Sequence, residues 1–448
     1  MNAKSNPFNP NGIVPPALFA GRKTQALTVL RKLSETKLGR ASSFFVFGEK
    51  GIGKSALASL IGDVAKSKNP KLFNLNFVVA YYPVVRNQSF ESVLESALNS
   101  LTDEVPFSWL GKIGDRLGTL FKNGKFSLGA FGVSASVDAQ PAEKRVILRD
   151  QAISILSNLV ATLREAEADD KRDGILIVID ELQNVGDIDI AAPTLRGILS
   201  TLDFKRLGNV SFMLIGLEKA FDDFMAGDES ARRAFDPVKL EVMPLDEAAE
   251  VLIKGFGDAE LVWNKDALER NIAVTGGYPH SIQVVGHHLV DLDSNGNIEN
   301  DDWVKAIDKT ATELQEKDFS RMYSFTGKQT GHEKILNVLA LFGPRLSKSE
   351  LVRDCKEAYG LANAYQYLSA LEKEGSIRVL GDKVVELHSE LFRTAILSVV
   401  FPQLAGSKLG ELWKERLTKT MQDIGTKLKT LREQSGNGEK ESTVKEFR

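Results

Sequence analysis

Eight consecutive residues, Gly48-Glu49-Lys50-Gly51-Ile52-Gly53-Lys54-Ser55, fit the pattern GxxxxGK[ST]. Glycines there allow backbone N–H groups to curl around phosphate oxygens where a Cβ would obstruct them, and a helix that follows adds its unpaired N-terminal donors. Lys54 is spaced to neutralise β and γ phosphates, and the Ser55 hydroxyl to bind Mg²⁺. The alternative is a glycine-rich strand-to-helix turn without a ligand. A second constellation, Ile175-Leu-Ile-Val-Ile-Asp180-Glu181, ends an apolar run in adjacent carboxylates. Such a run reads as a buried strand with Asp180 at its carboxyl edge, next to the strand that carries the glycine loop. Asp180 is then expected to anchor the Mg²⁺ shell through water, and Glu181 to polarise the water that attacks the γ-phosphate. Alone, this strand end could be only a helix N-cap. Paired with the loop, it points to hydrolysis of a nucleoside triphosphate.

Competing chemistries fit the chain less well. Guanine recognition needs Asn-Lys-x-Asp, and the nearest string, Asn264-Lys265-Asp266-Ala267, has its aspartate one place early. Small-molecule kinases generally lack a carboxylate that primes water, so Glu181 favours hydrolysis over transfer. His287 and His288 are neighbours on a predicted helix, face different ways, and have no His or Cys three or four residues away. They read as ordinary helix residues.

The elements that must position these groups follow from the patterns around them. A helix over about 23–38 leads into Ser43-Phe-Phe-Val-Phe47, a buried strand, and the loop then opens a helical pattern. Further apolar runs at 77–82, 175–179 and 212–215 alternate with helical patterns such as 146–161. Alternation of this kind predicts a parallel sheet covered on both faces. Between 100 and 143 the spacing of Phe126, Leu128, Val133 and Val137 suggests a hairpin-like insertion. After Pro244 helical patterns take over at 246–256, 265–274, 281–290 and 301–314. Three more, at 335–342, 348–359 and 362–373, precede an apolar ribbon over 376–387, the description of a winged helix. Leu417, Met421, Ile424, Leu428 and Leu431 form a short amphipathic seam before a polar end expected to be disordered. The expected class is therefore α/β, a parallel-sheet αβα core followed by an all-α lid and a winged-helix domain. The expected divisions are 1–245, 246–325, 326–402 and a tail over 403–448.

Composition bounds the partners. The chain has 448 residues, with 57 Lys+Arg against 60 Asp+Glu and a net charge of −3; 43% of residues are hydrophobic and 26% charged. That is globular chemistry, which excludes disorder as the main state and coating of nucleic acid by charge alone. The apolar runs are shorter than the roughly 20 residues that cross a bilayer, so no membrane is expected. The single cysteine, Cys355, and the lack of an export-signal layout lead to an expected reducing, cytoplasmic setting.

Several strings together resemble a known group. Phe19-Ala-Gly-Arg22, the glycine loop, Val178-Ile-Asp-Glu-Leu-Gln183, Ala231-Arg-Arg-Ala-Phe235 and Thr275-Gly-Gly-Tyr-Pro279 are similar to the AAA+ P-loop ATPases of the initiator and archaeal-ATPase-like branch, close to STAND switch ATPases. The resemblance covers about residues 6–400. It implies ATP as ligand with Mg²⁺, an adenine pocket near 14–22, and assembly into a homo-oligomer. It also implies an arginine finger at Arg232 or Arg233, offered to a neighbouring subunit, although two solvated arginines at a helix end would read the same way. Tyr278 and Pro279 resemble a lid motif that touches the nucleotide. Two departures stand out: His280 follows that proline where related initiators commonly have Arg, and Leu214-Ile-Gly-Leu-Glu218 lacks a polar residue at its strand end. Both put fast turnover in doubt while leaving nucleotide binding intact. The readings that remain are an ATPase switch, a regulator that holds ATP or ADP without hydrolysis, and an initiator-like protein that binds DNA. The predicted third helix of the winged unit carries Lys373 between Glu372 and Glu374, too little positive charge for backbone-driven DNA binding, so a protein partner is the alternative.

Overall fold

The computed structural model describes residues 6–14, 19–69, 71, 73–128, 141–263, 265–316, 319, 322–323, 330–343, 345–381 and 383–416. The chain divides into two compact units, Arg22–Glu241 and Val242–Arg448 joined by Met1–Gly21. Residues 1–21 thus part from the expected 1–245 division. The reason is Phe8, which is 3% exposed and lies so close to two helical glycines that a Cβ at Gly255 or Gly286 would come within 2.2 and 2.6 Å of its ring. Asn6 Nδ2 donates to His287 O at 3.0 Å, and Asn9 N to Gln283 Oε1 at 2.8 Å. A proline- and asparagine-rich stretch that cannot be helical is anchored instead by one aromatic ring and its own polar groups.

In the unit Arg22–Glu241 the strands are β1 (Ser43–Phe47), β2 (Phe77–Pro83), the short pair β3 (Phe121–Lys122) and β4 (Lys125–Phe126), β5 (Gly174–Asp180), β6 (Val210–Gly216) and β7 (Phe235–Lys239). Five of them form one sheet in the order β2-β5-β6-β1-β7, every pair parallel. β1, β5 and β6 are buried at every position, as parallel strands covered on both faces must be. The coverings are α1 (Lys23–Lys37), α2 (Lys54–Lys66), α3 (Phe90–Asn99), α4 (Phe107–Leu117), α5 (Pro141–Arg164), α6 (Ala191–Phe204) and α7 (Glu218–Gly227). One expectation is corrected: β6 stands between β1 and β5, so the loop strand and the Asp180 strand are not neighbours. All the strands run the same way and the register levels Phe47 with Gly216 and Ile179 with Leu214, so both ends still meet at one edge.

The insertion is also partly different from its expectation. α4 was not expected, yet Trp109, Ile113 and Leu117 are its buried positions and recur at helical spacing. Gly111 and Gly114 hide that period by lowering helix propensity. Among the described residues a hairpin does follow, at Phe121–Phe126; Val133 and Val137 lie outside the described residues. Within α5, Val146–Arg164 is a 19-residue stretch of mean hydropathy 1.3, long and apolar enough to cross a membrane. Leu148, Ala152, Ile155, Leu156, Leu159 and Val160 of this helix are buried in the core of the unit, which accounts for its composition.

The other unit begins with α8 (Leu245–Asp258), α9 (Lys265–Thr275), α10 (Pro279–Leu292) and α11 (Asn300–Glu316), tied by a parallel pair, β8 (Val262–Trp263) and β9 (Asn297–Ile298). Then come α12 (Gly331–Phe342), β10 (Arg345–Ser347), α13 (Lys348–Tyr359), α14 (Tyr365–Lys373), β11 (Ile377–Leu380), β12 (Val384–Leu387) and α15 (Glu390–Val400). β10, β12 and β11 make an antiparallel sheet in that order. Capping boxes start α12 at Thr330/Glu333 and α13 at Ser347/Glu350. β10 and α15 were not expected from the sequence. Cys355 is buried, and burial pushes its thiol up to about 12. The seam over 417–431 lies outside the described residues.

Candidate functional site

β1 ends at Phe47 and α2 begins at Lys54, leaving six residues to form the loop. Gly48 has φ 154°, and a Cβ there would lie 2.4 Å from Leu240 O, so only glycine can pass. Gly53, at φ 92°, is the N-cap of α2 in the left-handed region and offers no side-chain cap. The first N–H groups of α2 therefore remain for an anion. Lys54 Nζ donates to Gly48 O at 3.1 Å and Glu49 O at 2.6 Å, folding back over the loop. Burial lowers its pKa, and the carboxylates of Glu181, Asp180 and Glu49 oppose that fall. An ammonium held in half-buried surroundings among carboxylates is suited to receive phosphate charge.

The acidic pair meets this loop. Ser55 Oγ donates to Asp180 Oδ2 at 2.6 Å, and Tyr81 Oη donates to the same oxygen at 2.9 Å. The backbone N–H of Glu181 donates to Asp180 Oδ1 at 2.7 Å. Asp180 is 2% exposed, and three donors offset the cost of burying its charge. Burial, followed by the charge of Asp180, raises the pKa of Tyr81. A serine hydroxyl beside a buried carboxylate is a hard-oxygen pair that fits Mg²⁺. Among the described residues no group of three or more His, Cys, Asp or Glu could hold a metal by itself. A cation here would need phosphate oxygens and water as further ligands, which is how Mg²⁺ is usually held.

Glu181 has φ 60° and ψ 40°, a left-handed conformation that costs a non-glycine residue energy. Its side chain is exposed and accepts from Gln183 Nε2. Gln183 Oε1 in turn accepts from Leu217 N at 3.2 Å, just past the end of β6. Arg22 is 2% exposed; its Nη2 donates to Ile52 O at 3.3 Å and also to Glu241 O. It therefore ties a loop carbonyl to the residue where the chain leaves this unit. Tyr81, Gln183 and Arg22 were given no such contacts by sequence reasoning. The signal for Tyr81 was a polar tip near the end of the apolar strand FVVAYYP; for Gln183 it was an amide two residues past the acidic pair.

The structure gathers Gly48 to Ser55, Asp180 and Glu181 at one edge. It does not bring Arg232 or Arg233 to that edge within the chain. Both are exposed on a 3₁₀ turn preceding β7, whereas the loop follows β1, and β1 and β7 are parallel. Tyr278 and Pro279 belong to the other unit, where Tyr278 is 1% exposed and Pro279 opens α10. Residues 15–18, part of the expected adenine pocket, lie outside the described residues.

Residues 18–211 match the family described as AAA ATPase domain. That stretch of the chain is similar to AAA ATPase domains. The matched span contains β1, the glycine loop, β2 and the acidic pair, so the similarity falls on the residues that the geometry gathers at one edge. Arg232, Arg233, Tyr278 and Pro279 fall beyond the match. Among solved structures, the Aeropyrum pernix ORC2 protein in its ADPNP-ADP complexes is 15% identical with a TM-score of 0.49, covering 90% of this chain and 99% of that one. The Walker-type ATPase of Pyrococcus abyssi is 15% identical with a TM-score of 0.45, covering 84% and 96%. The RuvB Holliday junction branch migration motor of Thermotoga maritima is 12% identical with a TM-score of 0.39, covering 82% and 92%. No curated protein matches the chain.

Proposed function

We propose that the chain is a Mg²⁺-dependent ATPase that works as a nucleotide-driven switch. The observation that carries this reading is the 2.6 Å bond from Ser55 Oγ to Asp180 Oδ2, with Lys54 and Glu181 beside it. Gly48 to Ser55 hold the phosphates through backbone N–H groups, and Lys54 spreads its charge over the β and γ oxygens. Ser55 and Asp180 would hold the cation. The chemistry supplied by bound Mg²⁺ would be withdrawal of charge from the phosphate oxygens. Glu181 takes a proton from the attacking water as its oxygen bonds to the γ-phosphorus and the bond to ADP breaks.

The position of Arg232 and Arg233, exposed before an edge strand, favours a finger given to the next protomer in a homo-oligomer. A planar, permanently charged guanidinium matches the charge developing on the transferring phosphoryl group. Tyr278 and Pro279, where α10 begins, would then transmit nucleotide state to a lid over 246–325. The helix, strand, helix, helix and ribbon over 331–387 are read as a winged helix. Its α14 carries Glu372 and Glu374 around Lys373, which favours a protein partner over DNA. The expected cytoplasmic setting is part of this reading.

The test is phosphate release measured across protein concentration. A finger supplied in trans makes specific activity rise with concentration, and Arg232→Ala or Arg233→Ala should abolish that rise while sparing ATP binding. Activity per protomer that is flat over the whole range contradicts a shared site. For the cation, Tyr81→Phe should raise the Mg²⁺ needed for half-maximal turnover by about tenfold, the low end for a residue that orients a metal-holding carboxylate. Unchanged Mg²⁺ dependence would show that Tyr81 does not orient Asp180.

A further inference from the structure

Two features around the general base are unusual together. β6 lies between the P-loop strand and the Asp180 strand, yet it ends in Gly216, followed by Leu217, and neither has a polar side chain. Glu181, which must hold its carboxylate in one direction, is exposed and leaves a strained backbone position. A glutamate side chain free to sample rotamers loses entropy when it is fixed. Something must supply that ordering before the water can be primed.

We propose that Gln183 is the positioning residue for this base, its side-chain amide linking the Glu181 carboxylate to the backbone of β6's end. The inference rests on the reading of Glu181 as the base. Gln183 Nε2 donates to Glu181 Oε2, and Gln183 Oε1 accepts Leu217 N–H at 3.2 Å. Both ends of the amide are used, so neither can rotate without breaking a bond. The turn that carries Gln183 is itself fixed. Leu182 is fully buried, Asn184 Nδ2 donates to Val84 O at 3.0 Å, and Asn87 N donates to Asn184 O at 2.8 Å. A Cβ at Gly216 would crowd the Ala220 Cβ at 3.1 Å but stand in ordinary contact, 3.5 Å, with Gln183 Oε1, so the amide packs closely against the end of β6.

The link also makes a physical connection between two parts of the site. A shift at the end of β6, in Gly216 or the start of α7, moves the Leu217 N–H and with it the amide and the carboxylate. β6 is paired to β1 on one side and to β5 on the other, so it is placed to respond to both the phosphate loop and the metal carboxylate. In this chain the polar role at the β6 end is carried by a backbone N–H, and Gln183 extends its reach to the base.

The test uses the full chain and steady-state hydrolysis of Mg·ATP. Gln183→Leu removes both bonds while keeping similar bulk, and kcat should fall about tenfold to a hundredfold, as for a misplaced catalytic group. KM for ATP and the affinity for ADP should stay within twofold, a separation that loss of folding would not give. Gln183→Glu keeps the acceptor for Leu217 but sets a carboxylate against Glu181, so kcat should fall at least as far. Thermal melts within a few degrees of the wild type accompany both results. On a Glu181→Gln background, Gln183→Leu should cost nothing more, because the two residues act as one unit. Wild-type kcat for Gln183→Leu beside an inactive Glu181→Gln overturns the inference alone. Wild-type kcat for Glu181→Gln overturns the base, and this inference with it. Equal losses in kcat and in ADP affinity for Gln183→Leu would make its role structural and also overturn it.

Discussion

Lys54→Ala abolishes measurable ATP binding. The side chain is a full charge in half-buried surroundings, folded over the loop by bonds to Gly48 O and Glu49 O. At about 4 Å from a phosphate oxygen, and with an effective dielectric of about 20, one charge pair is worth roughly 4 kcal/mol. That is about a thousandfold in affinity, more than enough to take a micromolar site out of an ordinary titration. The fold should survive, because Lys54 begins α2 and leaves the apolar residues Leu57, Ile61 and Val64 of that helix buried. Equilibrium binding of a fluorescent ATP analogue, with circular dichroism as the control, checks both parts. Retained micromolar binding would mean that the loop does not hold the triphosphate.

The second large effect is expected at Glu181. Glu181→Gln keeps size and hydrogen-bonding atoms but cannot take a proton, so ATP binding should persist while turnover falls between a hundredfold and ten-thousandfold. Protein mixed with ATP should then remain in the triphosphate state, read by chromatography of the nucleotide recovered after gel filtration. Hydrolysis at the wild-type rate would show that another group activates the water. Asp180 is not interchangeable with its neighbour in this scheme. It is buried and occupied by three donors, whereas Glu181 is exposed on a left-handed residue. Adjacent positions in sequence thus have opposite surroundings, which is why the proposal gives one to the cation and the other to water.

Much of this organisation is legible in the residues because it is local. β1, β2, β5 and β6 are continuous apolar runs, and burial on both faces of a parallel sheet requires that pattern. α13 is marked by its capping box at Ser347 and Glu350 and starts where the sequence puts it, at Lys348. The glycine loop is legible because few residue types can pass a backbone at Gly48 or cap α2 at Gly53. Strand order is a different matter. No local property of Ser43–Phe47 tells that β6, more than 160 positions later, will separate it from β5; that depends on how crossovers are wound. Partners of the site are similarly non-local. Tyr81 reaches Asp180 across 99 positions and Arg22 reaches Glu241 across 219, and neither distance leaves a periodic trace. α4 escaped because its two glycines and a sparse apolar stripe look irregular until Trp109, Ile113 and Leu117 find a core to enter. The N-terminal Phe8 escaped for the same reason, since its pocket is built from glycines of α8 and α10.

The most direct measurement is a calorimetric titration of a slowly hydrolysed ATP analogue into the protein, with Mg²⁺ and then with chelator, repeated for Asp180→Asn. A phosphate cradle joined to a cation-holding carboxylate predicts saturable heat near one nucleotide per chain, at least tenfold weaker without Mg²⁺, and little Mg²⁺ dependence left in the variant. Absence of heat, or affinity that ignores both Mg²⁺ and Asp180, would contradict it.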